Sequence, residues 1–110
     1  MGKIELKRNY KFEDELWRAI RGLASNSTDI KKRLELAYEY HLVYLEPDSI
    51  PQEMNRKKLI KIKSKLTKNH TMKVCDAIYY LPLKSCRAIA QDICDIYWGY
   101  IHYEWDCRSK

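Results

Sequence analysis

The chain has 110 residues, a size typical of one domain, with 45% hydrophobic residues and only three Gly and three Pro. That composition excludes collagen-like and disordered classes and argues against a many-turned β architecture, so a single helical core is expected. The formal net charge is +6, and no uncharged stretch approaches the run of about 18 residues that a membrane span requires.

From Met1 to Lys11, charges alternate with Ile4 and Leu6. There is no apolar h-region of a secretory signal, so residues 1–11 read as a short extended arm on one domain covering 1–110, expected in the cytoplasm. Lipid anchors are not expected. Leu6 stands where a myristoylation site would have Ser or Thr, and Cys107 is followed by Arg108, Ser109 and Lys110, a poor prenylation context.

The first helix is predicted over 13–24, with Leu16, Trp17, Ile20, Leu23 and Ala24 in helical register. Glu13, Asp14 and Glu15 suit its first turn, where the macrodipole favours carboxylates. A second helix is predicted over 28–45, capped from Asn26, Ser27 or Thr28. Ile30, Leu34, Ala37, Tyr38, His41, Tyr44 and Leu45 fall on one face, and Leu36, Leu42 and Val43 outside it. Its narrow polar strip, Lys32, Glu35 and Glu39, predicts the central, most buried helix. Pro47, Asp48, Ser49 and Pro51 then mark a loop.

A third helix, 51–68, has one narrow apolar stripe, Leu59, Ile62 and Leu66, opposite Lys57, Lys58, Lys61, Lys65 and Lys68. A shorter helix over 71–81 turns Val74, Cys75, Ile78 and Leu81 inward and stops at Pro82. The last helix, 85–105, is expected to start on a Ser85 cap. It carries Cys86, Ile89, Ala90, Ile93, Ile96, Tyr97, Tyr100 and Ile101 on a broad apolar face. Five helices with short connections predict an all-α compact bundle.

Charge is the least random feature of the sequence. Residues 56–73 contain Arg56, Lys57, Lys58, Lys61, Lys63, Lys65, Lys68 and Lys73 and no Asp or Glu. Removing their +8 from the net +6 leaves −2 for the rest, so the chain has one basic helix and is not basic throughout. Arg56, Lys57, Lys58, Lys61, Lys65 and Lys68 are therefore the candidate contacts to phosphates or to an acidic partner. The competing reading is a solvated lysine face of a good helix former. A helix-turn-helix over 71–97 is disfavoured because its second helix offers Asp92 and Asp95, which the DNA backbone would repel.

Nine Tyr and three Trp stand against one Phe. Tyr and Trp combine an apolar body with a polar tip and are enriched at contact surfaces. On the last helix Cys94, Trp98, Ile101 and Trp105 widen the apolar arc beyond what one neighbour needs. Trp98, Ile101 and Trp105 are the candidate protein interface, with a homodimer as its simplest form, and core wrapping as the alternative.

Four Cys and three His are present, yet no Cys-x-x-Cys or His pair at i, i+4 occurs, so no metal or cofactor is expected. Cys75, Cys86 and Cys94 fall on apolar faces, where a thiol behaves as a small hydrophobe. His41 reads as a hydrogen-bonded core residue. Gly2, Gly22 and Gly99 are isolated, so no phosphate loop exists, and no nucleophile–base pair is visible. The expectation is a non-enzymatic interaction or regulatory module, an adaptor, accessory subunit or inhibitor docking a larger protein. Its size and architecture suit products of mobile elements or phages. Nucleic-acid binding through the basic helix is the alternative.

Overall fold

The computed structural model describes residues 8–25, 29–67 and 73–103. Among these, five α-helices follow one another: α1 (Tyr10–Ser25), α2 (Ile30–Tyr40), α3 (Glu53–Leu66), α4 (Val74–Tyr79) and α5 (Leu83–Ile101), with no strand. The predicted all-α bundle is present, and the helix ends shift for identifiable reasons.

Helix α1 starts earlier than expected because Asn9 caps it. Its Oδ1 accepts the Phe12 N–H at 3.0 Å and its carbonyl accepts that of Glu13 at 3.0 Å. Tyr10 and Lys11, expected in the extended arm, are therefore helical; residues 1–7 lie outside the described set. Asp29 caps α2, accepting the Lys32 N–H at 2.9 Å, whereas Asn26, Ser27 and Thr28 lie outside the described residues.

Helix α2 ends at Tyr40, not Leu45. His41 leaves helical geometry and Leu42–Tyr44 form a 3-10 turn. The tighter period rotates the side chains beyond His41, so Leu42 is fully buried and Tyr44 is 69% exposed, the reverse of the helical extrapolation. Helix α5 starts at Leu83 after Pro82, without the expected Ser85 cap. Proline's fixed φ suits this entry, and its missing N–H costs nothing there.

The core is a single cluster. Cys86, Ile89, Ile93, Ile96 and Tyr100 of α5 meet Phe12, Leu16, Ala19 and Leu23 of α1, Leu34, Ala37 and Tyr38 of α2, and Leu59, Ile62 and Leu66 of α3. Each large apolar side chain withdrawn from water contributes roughly 1.5–3 kcal/mol before chain entropy is subtracted. Helix α5 packs on α1, α2 and α3, so it shares the central position expected for α2 alone, which packs on α1, α4 and α5.

Helices α1 and α3 both run antiparallel to α5. Phe12 stacks on Tyr100 at 4.9 Å and Trp17 on Tyr97 at 5.5 Å, so ascending α1 descends α5. On the other flank the Gln52 amide donates to the Gly99 carbonyl at 2.7 Å, and Lys58 lies 3.4 Å from Asp95. Gly99 permits this approach, because a Cβ there would collide with the Asn55 side-chain amide.

Candidate functional site

The basic helix divides into cations turned toward the fold and cations turned away. Arg56 donates from Nε and Nη2 to the Ile50 carbonyl at 3.2 and 3.1 Å, and from Nη2 to the Pro51 carbonyl at 3.4 Å. Those bonds tie α3 to the chain that leads into it. Lys63 donates to the carbonyls of Leu45 at 2.7 Å and Val43 at 3.4 Å, beside the 3-10 turn. Lys58 pairs with Asp95, which also accepts the Gln91 amide at 3.0 Å.

Lys57 forms an exposed pair with Glu53 at 3.4 Å, and such pairs are worth little in water. Lys61 and Lys65 are exposed. Lys68 lies outside the described residues. Of the candidate phosphate contacts that are described, Arg56 and Lys58 are thus committed to intramolecular partners, while Lys57, Lys61 and Lys65 stand in solvent.

The aromatic flank has a firmer geometry. At 100° per residue, the core stripe of α5 leaves Arg87, Gln91, Cys94 and Trp98 on the opposite side. Trp98, in the last turn of α5, is 64% exposed and touches the ring of the C-capping His102, with centroids 4.2 Å apart. Ile101 is half-buried at the edge of the same surface, and Trp105 lies outside the described residues. Helix α1 continues the surface: Trp17, expected inward, is 43% exposed and covers Tyr97. The cause is register, since Leu16, Ala19 and Leu23 already fill the line facing the core and place Trp17 about 100° away.

Beside this surface lies an open pocket of about 290 Å³ lined by Ile20, Leu23, Ala24, Ile30, Arg33, Arg87, Ala90, Gln91 and Cys94. Its floor is apolar and two guanidinium groups edge it; one of them, Arg33, donates to the Leu23 carbonyl at 2.7 Å. Cys94, expected on the apolar face, is an exposed residue. Packing against neighbouring atoms first, and the Asp95 carboxylate second, push its thiol above the ordinary range. Cys86, buried, is also raised by desolvation. A raised thiol carries less thiolate, so neither is an activated nucleophile.

A second arrangement was illegible in sequence because its members are 26 residues apart. The Nδ1 of His41 lies 2.5 Å from Glu15 Oε2, joining α1 to the end of α2. His41 is thus hydrogen-bonded as expected, though half-buried rather than in the core. It borders an open polar depression of about 500 Å³ with Asp14, Trp17, Arg18, Arg21 and Gly22. The lining of this depression contains no Ser, Thr or Cys for the carboxylate-oriented imidazole to activate. Among the described residues, no group of three or more His, Cys, Asp or Glu could hold a metal ion.

Comparison with known proteins adds no analogy: no family model, no curated protein and no solved structure matches this chain.

Proposed function

We propose that the chain is a non-enzymatic interaction module that docks a protein partner through the joint outer face of α1 and α5. The observation that carries this reading is Trp98, 64% exposed in the last turn of α5, on the same side as half-covered Trp17 and an apolar pocket. Exposed aromatics clustered around a cavity have the chemistry of interface anchors, which bury large areas with little loss of side-chain freedom. The exposed lysines of α3, the helix packed on the other flank of α5, favour a partner carrying carboxylates. A cytoplasmic setting belongs to the same proposal; among the described residues, no helix is long and apolar enough to cross a membrane.

The test compares the full chain with a Trp98→Glu variant of matched far-UV circular dichroism, both immobilised and exposed to extract of the source cells. Proteins held by the wild type and released by the variant support the reading. Equal retention by both contradicts it.

A second reading, nucleic-acid binding, is favoured by Lys57, Lys61 and Lys65 standing exposed on one side of α3. Titration against mixed-sequence duplex, single-stranded DNA and RNA at two salt concentrations separates the two. Submicromolar binding that falls steeply with salt, and is lost in a Lys57→Glu, Lys61→Glu, Lys65→Glu variant, would put phosphate contact first.

A further inference from the structure

The corner between α4 and α5 leaves two neighbouring aromatic rings in solvent. Ile78 is fully buried and Leu81 packs against the core, so the register turns the two residues between them outward. Tyr79 is 68% and Tyr80 75% exposed, and their rings meet edge to face with centroids 5.1 Å apart. Pro82 and Leu83, both exposed, carry the surface into the first turn of α5.

Cations gather around these rings. The Nζ of Lys31, on the first turn of α2, donates to the Tyr79 carbonyl at 2.7 Å and lies 5.6 Å from the centre of its ring. A carbonyl accepts that bond but leaves the charge uncompensated. Lys84 and Arg87 are exposed on the first two turns of α5, and Lys73 is exposed just ahead of α4. Among the described residues, none of these four pairs with a carboxylate. The carboxylates nearest to them in the chain are Asp29, which caps α2 by accepting the Lys32 N–H, and Asp76, exposed one turn before Tyr80. The balance at the corner is positive even with both counted.

We propose that this corner binds single-stranded nucleic acid, with bases stacked on Tyr79 and Tyr80 and phosphates held by Lys31, Lys84 and Arg87. The cations alone would suit any polyanion; the rings select one whose repeating units have flat faces. In a duplex those faces are covered by neighbouring base pairs, whereas an unpaired strand can lay successive bases on two exposed rings. Lys31, beside the Tyr79 ring, stands where the phosphate of a base on that ring would come. The inference goes beyond the docking reading and does not need it. It also differs from phosphate contact along α3, because it places the strand on α4 and α5.

The experiment is fluorescence anisotropy of end-labelled oligo(dT), oligo(U) and a duplex of equal length, titrated with the full chain at two salt concentrations, with circular dichroism as the folding control. Both single strands are expected to bind more tightly than the duplex, with affinity that falls as salt rises. Joint Tyr79→Ala and Tyr80→Ala substitution should weaken binding about tenfold or more, while the corresponding Phe pair, which keeps the rings, should bind like the wild type. Joint Lys84→Glu and Arg87→Glu substitution should weaken binding and flatten its salt dependence. No binding of either strand at low salt, preference for the duplex, an undiminished Ala pair, or poly-glutamate held as tightly as oligo(dT) would each overturn the inference. So would loss of binding in the Lys57→Glu, Lys61→Glu, Lys65→Glu variant with the corner variants unaffected, which would place the contact on α3. The docking reading is decided separately, by whether Trp98→Glu releases a protein.

Discussion

On α3, the charged residues nearest the fold are part of its construction. Arg56 and Lys63 donate to carbonyls of the 42–51 segment, and Lys58 reaches across to Asp95 on α5. On the outer side of α5 the relation is inverted: Trp98 and Cys94 are apolar, exposed and support little of the interior. A run of cations is therefore no measure of available charge, and an exposed tryptophan beside an apolar pocket is the less expected surface. Much of α3 thus has a structural duty, and α1/α5 is the face proposed to dock a partner.

The largest contrast to test lies within α5 itself. Ile93→Ala removes a fully buried side chain from the stripe facing the core and is expected to lower stability by about 2–5 kcal/mol. Trp98→Ala on the opposite side should change the stability of the monomer by less than about 0.5 kcal/mol. Urea titration at low protein concentration reads both, and equal losses would make Trp98 a core residue.

Within α3 the contrast is smaller. Arg56→Ala removes the charge-assisted bonds to the Ile50 and Pro51 carbonyls and should cost about 1–3 kcal/mol. Lys61→Ala, exposed, should cost less than about 0.5 kcal/mol by the same titration. Comparable small losses for both would return Arg56 to the pool of available cations. At Gly99, substitution by Ala pushes the Asn55 amide aside and should lower the unfolding midpoint measurably but by less than Ile93→Ala. An unchanged midpoint would show that α3 and α5 separate readily there.

Alkaline titration gives the mildest test. Burial raises both Tyr38 and Tyr100 above the usual tyrosine range, Tyr100 despite the opposing hydrogen bond with Asn9. In the unfolded chain these phenols ionise near about pH 10, while the folded chain keeps them protonated to higher pH. Their contribution is whole below the unfolded pKa and is lost as pH rises through the folded one. Unfolding free energy should therefore decline above about pH 10, and Tyr100→Phe should soften that decline.

The helices were legible because Leu34, Ala37 and Tyr38, or Leu59, Ile62 and Leu66, repeat at helical spacing and are buried accordingly. The end of α2 was not, since nothing local marks His41 as the point where a 3-10 turn exchanges the roles of Leu42 and Tyr44. The candidate surfaces were legible in part. Trp98 followed from periodicity, whereas the pocket, the His41–Glu15 bond and the outward turn of Trp17 depend on which helices become neighbours. The division among the lysines was also hidden, because the carbonyls that receive Arg56 and Lys63 belong to chain segments whose path only the tertiary fold determines.

The most direct test of the α1/α5 assignment is hydroxyl-radical footprinting of the full chain, alone and with the proteins it retains from extract of the source cells, read residue by residue. Trp17, Cys94 and Trp98 should lose reactivity in the bound sample, while Met54, Tyr79 and Tyr80, exposed on α3 and at the end of α4, should keep theirs. Constant reactivity at Trp17, Cys94 and Trp98, or protection appearing at Met54, Tyr79 and Tyr80 instead, would contradict the assignment.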